Sequence, residues 1–164
     1  MVQGVRIEGL DSLTKLFPEL KEQIINETKL AVAASALLIQ NEAKDSMRKS
    51  KGGKTYRRGS IKRKRKGQNV VVGSKFHRAS APGEPPAVDT GRLIASINHK
   101  ITNKGLTATI GVHDITKVKY GKFLEYGTAR IKARPWLFPA LEKKRKDIEK
   151  RISEGIKRAM RVKV

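Results

Sequence analysis

Apolar residues follow two spacings along the chain, a two-residue alternation and steps of three and four, and each predicts a different element. Val5-Arg6-Ile7-Glu8-Gly9 alternates apolar and polar positions, the two-residue period of a short strand, and closes on glycine. Asp11 is a candidate N-cap for a short helical turn through Leu13, Leu16 and Phe17. Pro18 then fits the first turn of a long helix running to about Met47, because a first-turn proline forfeits no intrahelical bond. The apolar stripe of that helix is Leu20, Ile24, Ala31, Ala34 and Leu38, widened by Leu30, Leu37 and Ile39, at steps of three and four. The small residues Ala31, Ala33, Ala34, Ser35 and Ala36 allow close approach of a sheet or a second helix.

Further along, Val70-Val71-Val72 predicts a short strand. Ala81-Pro82-Gly83-Glu84-Pro85-Pro86 can be neither helix nor central strand, since proline fixes φ and lacks a donor. Asp89-Thr90-Gly91-Arg92-Leu93 to Ile97 begins on a capping residue and predicts a short helix. His99 to Thr102 and Leu106 to Val112 predict two strands, the second with Ala108, Ile110 and Val112 on one face, and Asn103-Lys104-Gly105 is a hairpin turn between them. Tyr120 to Tyr126 predicts a helical turn stopped by Gly127. A final helix starts near Pro139 with the stripe Leu141, Ile148, Ile152, Ile156 and Met160. The pattern predicts an α+β fold: long N-terminal and C-terminal helices packed on a small antiparallel sheet, in a single domain over 1–164. An extended basic loop or arm, 46–78, is inserted in it.

Charge changes this picture more than composition does. The chain has 164 residues, 37 Lys and Arg against 15 Asp and Glu, a net charge of +22 and no cysteine. Residues 1–45 carry a net −2, 46–83 carry +13 with no acid, 84–140 carry +5 and 141–164 carry +6. More than half of the excess therefore sits on one stretch. Arg48, Lys49, Lys51, Lys54, Arg57 and Arg58 lead there into Lys62-Arg63-Lys64-Arg65-Lys66, punctuated by Gly52, Gly53, Gly59 and Gly67. With Ile61 nearly its only aliphatic residue, that stretch cannot offset its ordering entropy by burial and is expected to be mobile when alone. Zero cysteine excludes a disulfide scaffold, a thiolate zinc site and a cysteine nucleophile. No apolar run approaches the roughly 20 residues of a membrane span, and the start resembles no signal peptide.

Catalytic constellations are missing from the pattern. His77, His99 and His113 are widely spaced and offer no metal-ligand spacing. Asp114 beside His113 would point to the opposite strand face, and Glu84 and Glu125 are isolated acids rather than a carboxylate pair. Gly52-Gly53-Lys54-Thr55 looks like the end of a phosphate loop but lacks the first glycine, the preceding strand and the following helix. The expectation is a protein without enzymatic activity, cofactor, metal or small-molecule substrate.

Two stretches stand apart from composition. One runs from Ala79 through Pro82-Gly83-Glu84-Pro85-Pro86 and Thr90-Gly91-Arg92-Leu93 to Ser96-Ile97. The other is Tyr120-Gly121-Lys122-Phe123-Leu124-Glu125-Tyr126-Gly127-Thr128, followed by Arg134-Pro135-Trp136-Leu137-Phe138-Pro139-Ala140. Together they resemble the neck, or tail-completion, proteins of long-tailed bacteriophages and prophages. The shared pattern is a Pro-Gly-x-Pro-Pro loop, a Thr-Gly-x-Leu-x-x-Ser-Ile helix start, a Tyr-x-x-x-x-Glu-x-Gly-Thr turn and an Arg-Pro-aromatic-x-x-Pro-Ala helix start, in that order. The likeness covers most of the chain outside residues 48–75.

What the resemblance implies is a structural virion protein of the head–tail junction, made in the host cytoplasm. It would form a ring of six subunits, with twelve the alternative count, around the channel for the genome. Its neighbours would be head-closure, portal-side and tail-tube or tail-terminator proteins, with contact to genomic double-stranded DNA and none to a membrane. Read physically, Thr90 or Asp89 caps a helix while Gly91 lets the loop pack closely, and Pro82, Pro85 and Pro86 stiffen a connector or a subunit contact. Tyr120, Phe123 and Tyr126 share one helical face and are expected in the core. Glu125 among them calls for a cation such as Arg134, or for backbone donors, and a fold-holding ion pair is favoured over a functional acid. Trp136 and Phe138 are expected to pin the last helix to the sheet. The arm has three readings: contact with duplex phosphates, contact with acidic surfaces of neighbouring rings, or a solubilising loop without a partner. The rival to the whole reading is a stand-alone basic nucleic-acid-binding protein gripping phosphates through residues 48–66.

Overall fold

A computed structural model describes residues 10–113 and 118–161. The expected strand Val5–Gly9 and the expected His113–Asp114 pair fall on or extend into residues outside that range. The order is α1 (Leu10–Lys49), β1 (Thr55–Arg65), β2 (Gln68–Arg78), α2 (Arg92–Ser96), β3 (Ile97–Thr102), β4 (Thr107–Val112), α3 (Tyr120–Tyr126) and α4 (Phe138–Met160). The strands form two antiparallel pairs, β1 with β2 and β3 with β4. The fold is α+β, with long first and last helices and small antiparallel sheets.

The first helix is one continuous element rather than a short turn followed by a helix at Pro18. It starts at Leu10, places Asp11 inside it, and carries Pro18 in its interior. Proline there removes one intrahelical bond and crowds the carbonyl four residues earlier, a local cost outweighed by the rest of a 40-residue helix. Its buried row also differs from the predicted stripe. Ala31, Ser35, Ile39, Ala43 and Met47 are buried at a strict four-residue step, joined by Ala36, whereas Leu30 and Leu37 are exposed. Four-residue steps define the ridge along which helices pack, and its small members bring backbones close.

The chain divides into two compact units. The first comprises Met1–Ala36, Lys100–Thr109 and Arg145–Val164. Within it Gly155 lies against the Glu27 carbonyl and the Ala31 methyl, so α1 and α4 meet through small residues. Arg158 Nε and Nη2 donate to Glu27 Oε2 at 3.2 and 3.0 Å across the same contact. Ser35 Oγ, buried on this part of α1, has no hydrogen-bond partner among the described residues. Burying an unpaired hydroxyl costs free energy, and alanine is also the better helix former. Ser35→Ala is therefore expected to stabilise the protein by about 1 kcal/mol, read as an upward shift of the urea midpoint.

The second unit, Leu37–His99 with Ile110–Lys144, holds the main core. Ala43, Met47, Leu93, Ile97, Val118, Trp136 and Ala140 are buried together, with Ile94, Val112, Leu124 and Leu137 packed around them. Gln40 Oε1 meets His99 Nδ1 at 2.7 Å, and Lys143 Nζ donates to Glu42 Oε1 at 2.6 Å. The final helix keeps its expected Ile148, Ile152 and Ile156 half-buried, but Leu141 and Met160 are exposed, and the buried positions beside them are Ala140, Gly155 and Ala159. Small residues thus take the places the hydrophobic stripe assigned to large ones.

The basic arm is the largest departure from expectation. It is a hairpin of two 11-residue strands, from Thr55 opposite Arg78 to Arg65 opposite Gln68. Lys66 (φ 47°) and Gly67 (φ 79°) form its two-residue turn, both in the left-handed region. Two left-handed residues match the natural twist of paired strands, and glycine occupies the second at no steric cost. Bulges interrupt the ladder between Arg57 and Gly59 and between Ile61 and Lys62, the second leaving Val72 unmatched in β2.

Candidate functional site

The two stretches 79–97 and 120–140, separated by more than twenty residues, come together in the second unit. Gly83 N donates to the Ala133 carbonyl at 3.0 Å, and Arg134 Nη1 donates to the buried Ser80 hydroxyl at 3.0 Å. Leu93 touches Gly121, where an added methyl would lie 3.2 Å from Leu93 Cδ1. Pro86 is buried, while Pro82 and Gly83 are exposed at the tip of the loop. Arg134, Pro135 and Leu137 are half-buried in the connection between α3 and α4, and Pro139 lies in the first turn of α4.

Both isolated acids are accounted for by backbone amides. Glu125 Oε2 accepts from the amides of Trp136 at 2.8 Å and Leu137 at 3.0 Å, and Oε1 from that of Phe138 at 2.9 Å. Its partners are thus the unsatisfied donors at the start of α4, not Arg134, whose guanidinium goes to Ser80. Of the two expected partners, the cation gives way to the backbone donors: α4 has no acid in its own first turn, and its positive end is met by a carboxylate from α3. Thr128 supports the same corner: its hydroxyl accepts from the amides of Arg130 and Ile131 at 3.2 and 3.1 Å. Gly127, at φ 76°, ends α3 where a side chain would meet the Ile131 carbonyl at 2.9 Å.

Glu84 plays the matching part at the root of the hairpin. Its Oε2 accepts from the amides of Gly52 and Ala81, each at 3.0 Å, and from the Ser50 hydroxyl at 3.4 Å. The Ala81 amide, ahead of an opposing desolvation effect and with help from Gly52, Ser50 and the Arg78 charge, holds the Glu84 carboxyl below its ordinary pKa. A depressed carboxylate stabilises the fold above its ordinary titration range and loses that contribution as the pH falls through its folded-state value. Glu84→Gln is accordingly expected to lower stability at neutral pH. That difference from wild type should shrink below about pH 4 in acid-unfolding curves.

The helix after the proline loop is capped differently from expectation. Its N-cap is Gly91, and no side chain caps the first turn; Thr90 Oγ1 only approaches the Arg92 amide, at 3.5 Å. Gly91 is not there for close packing either, because a Cβ on it would meet nothing within 4 Å; its φ of 77° is what requires glycine. Asp89 is turned to the hairpin instead, where it pairs with Arg58 and lies 3.6 Å from His77 Nδ1.

The predicted cationic residues divide accordingly. Arg48 pairs with Asp45 at 2.6 Å, Arg58 pairs with Asp89, and Arg57 Nη2 donates to Ser60 Oγ at 3.4 Å. Lys49 lies in the last turn of α1, and Lys51 and Lys54 are exposed in the link to β1. Lys62, Arg63, Lys64 and Lys66 are exposed toward the hairpin tip, with Arg65 the last residue of β1. Successive strand residues face opposite sides, so Lys62 and Lys64 lie on one face and Arg63 on the other. Arg48, Ser50, Lys51, Phe76, His77 and Arg78 border a groove of about 430 Å³ at the hairpin root.

Sequence reasoning missed the uncovered aromatic face. Tyr120, Phe123 and Tyr126 share one side of α3 as expected, but they are 41%, 51% and 77% exposed rather than in the core. Phe138 is 63% exposed and pins nothing, whereas Trp136 beside it is 4% exposed and does anchor α4 to the core. A clue was available: Glu125 shares that turn, and its carboxylate must face α4, which turns the aromatic side away. Among the described residues, no helix is long and apolar enough to cross a membrane, and no three or more His, Cys, Asp or Glu gather as a metal site. Comparison with known family models, curated proteins and solved structures gives no match for this chain.

Proposed function

We propose that this chain is a structural virion protein that forms a ring at the head–tail junction of a long-tailed phage or prophage and joins the tail to the DNA-filled head. The family pattern in 79–97 and 120–140 supports it. The observation that carries it is the uncovered face of Tyr120, Phe123 and Tyr126 on α3. Three large aromatic side chains on one seven-residue helix form a patch that another molecule covers when a protein assembles. Lys119 and Lys122 border the patch, and the Glu125 carboxylate is turned to α4, so the face is apolar and cationic. The prolines next to it hold the backbone before contact and lower the entropy lost on assembly. Subunits meeting head to tail through such a face close a ring when the rotation between them is a whole fraction of a turn.

Phe123→Glu combined with Tyr126→Glu tests this face without touching the core. The variant is expected to keep the wild-type unfolding midpoint and to lose ring formation and head–tail joining, scored by negative-stain images of particles. Joined particles at wild-type yield would remove the face from the assembly. The stand-alone nucleic-acid binder has one observation in its favour, the cationic β1 strand. It requires duplex affinity that falls steeply with salt and is carried by Arg57, Lys62, Arg63, Lys64 and Lys66. Replacing those five by glutamine separates the readings: loss of DNA binding with head–tail joining intact favours the binder.

A further inference from the structure

The two edges of the hairpin differ in a way that neither charge contact nor solubility explains. β1 carries a Lys or Arg at six of its eleven positions. β2 carries none from Gln68 through Ser74, a run of Gln, Asn, three valines, Gly and Ser. Among the described residues the sheet has these two strands, so the outer edge of each presents backbone N–H and C=O groups with no described strand beyond them. Proteins ordinarily guard such edges with charge or proline. β1 is guarded and β2 is not; the bulge at Val72 bends its edge without adding charge.

Val70 and Val71 are exposed, as are Ile61, Tyr56 and Phe76, and no described side chain of either strand is buried. A two-stranded sheet with no buried face is marginal in water, and a third strand is the ordinary remedy. We infer that the outer edge of β2, Gln68 to Ser74, takes an added strand from an acidic partner protein. Backbone pairing supplies the affinity and alternate side chains the specificity, as in β-strand addition generally. Charge selects the occupant. A second copy would bring its own excess of 22 positive charges to the site. An acidic segment sets carboxylates one strand beyond Val71, within the span of the Lys62 and Lys64 side chains across the hairpin. The exposed valines further favour a polypeptide over duplex DNA, whose phosphates have no use for them. The inference rests on the hairpin as a contact element and not on the ring.

The test uses the full chain and a blocked, labelled peptide of alternating valine and glutamate. Three companions accompany it: the same peptide N-methylated at alternate residues, a valine–lysine version, and a short duplex DNA. The valine–glutamate peptide is expected to bind and to slow amide exchange in Gln68–Ser74. N-methylation is expected to cost at least about tenfold in affinity, since it removes the donors that strand addition needs. Val71→Glu is the decisive variant. It lies opposite Lys62, so it adds a favourable cross-strand pair to the hairpin while repelling an acidic strand; binding is expected to fall at least about tenfold, and Val71→Thr to preserve it. Equal binding of the N-methylated peptide, indifference to Val71→Glu, absence of peptide binding, or displacement of the peptide by duplex from the same amides would each overturn the inference. Failure of the ring shows elsewhere, in particles whose hairpin edge still takes the peptide.

Discussion

Replacing Glu125 with alanine is expected to destabilise the protein by about 2–3 kcal/mol, a loss visible as a fall in the urea midpoint. The carboxylate accepts three consecutive amides, those of Trp136, Leu137 and Phe138. Alanine leaves all three without their acceptor and removes a negative charge from the positive end of a 23-residue helix. Glu125→Gln keeps one acceptor oxygen and is expected to lose about half as much. The double variant with Arg134→Ala separates this from an ion pair. Arg134 donates to Ser80, so the two losses are expected to add to within about 0.5 kcal/mol, whereas a Glu125–Arg134 pair would make them strongly non-additive.

Trp136→Ala is expected to have the largest effect of any single change, about 3–5 kcal/mol. The indole is 4% exposed and packs in the cluster of Met47, Leu93, Ile97, Val118 and Ala140. Its Nε1–H reaches the Gly121 carbonyl at 3.4 Å, so alanine empties a large volume and strips an acceptor on α3 at once. Trp136→Phe refills most of that space and is expected to recover more than half of the loss in thermal unfolding. Phe138→Ala, two residues on, is the internal control. Its ring lies in solvent, and the unfolding curve is expected to move by less than about 0.5 kcal/mol.

How much of this was legible depended on whether the signal was local. The two long helices, the β3–β4 hairpin with its Asn103-Lys104-Gly105 turn, and α3 ending at Gly127 follow from periodicity and turn residues close in sequence. The hairpin did not, because Lys62 to Lys66 reads as a segment too charged to order. Its clues were weaker: β-branched and aromatic residues in both arms (Thr55, Tyr56 and Ile61 against Val70, Val71 and Phe76) and Lys66-Gly67, a two-residue turn without the usual asparagine or aspartate. Which face of α3 turns inward was legible only indirectly, through Glu125. Aromatic spacing gives a shared side, but its direction depends on where α4 begins and on the carboxylate that α4 demands. Small residues misled in the same way: Ala31 and Ser35 are buried on α1 while Leu30 and Leu37 are exposed, and Gly155 is buried on α4, since close helix approach favours small size over hydrophobicity.

At the candidate site, Lys62, Arg63, Lys64 and Lys66 lie exposed toward the hairpin tip, while Arg48 and Arg58 have carboxylate partners of their own. Asp89 could not be assigned from sequence because its partner lies in β1, about thirty residues away. The same applies to Glu84, whose donors sit on either side of the hairpin. Carboxylates that look unemployed in a sequence can serve as caps for distant backbone.

The central claim is that the chain joins heads to tails. Its most direct measurement is electron microscopy of particles from a host carrying the phage genes with this one deleted, alongside the same strain supplied with the gene in trans. DNA-filled heads and separate complete tails are expected in the deletion, and joined particles with a ring at the neck after complementation. Joined, infectious particles in the deletion would contradict the claim.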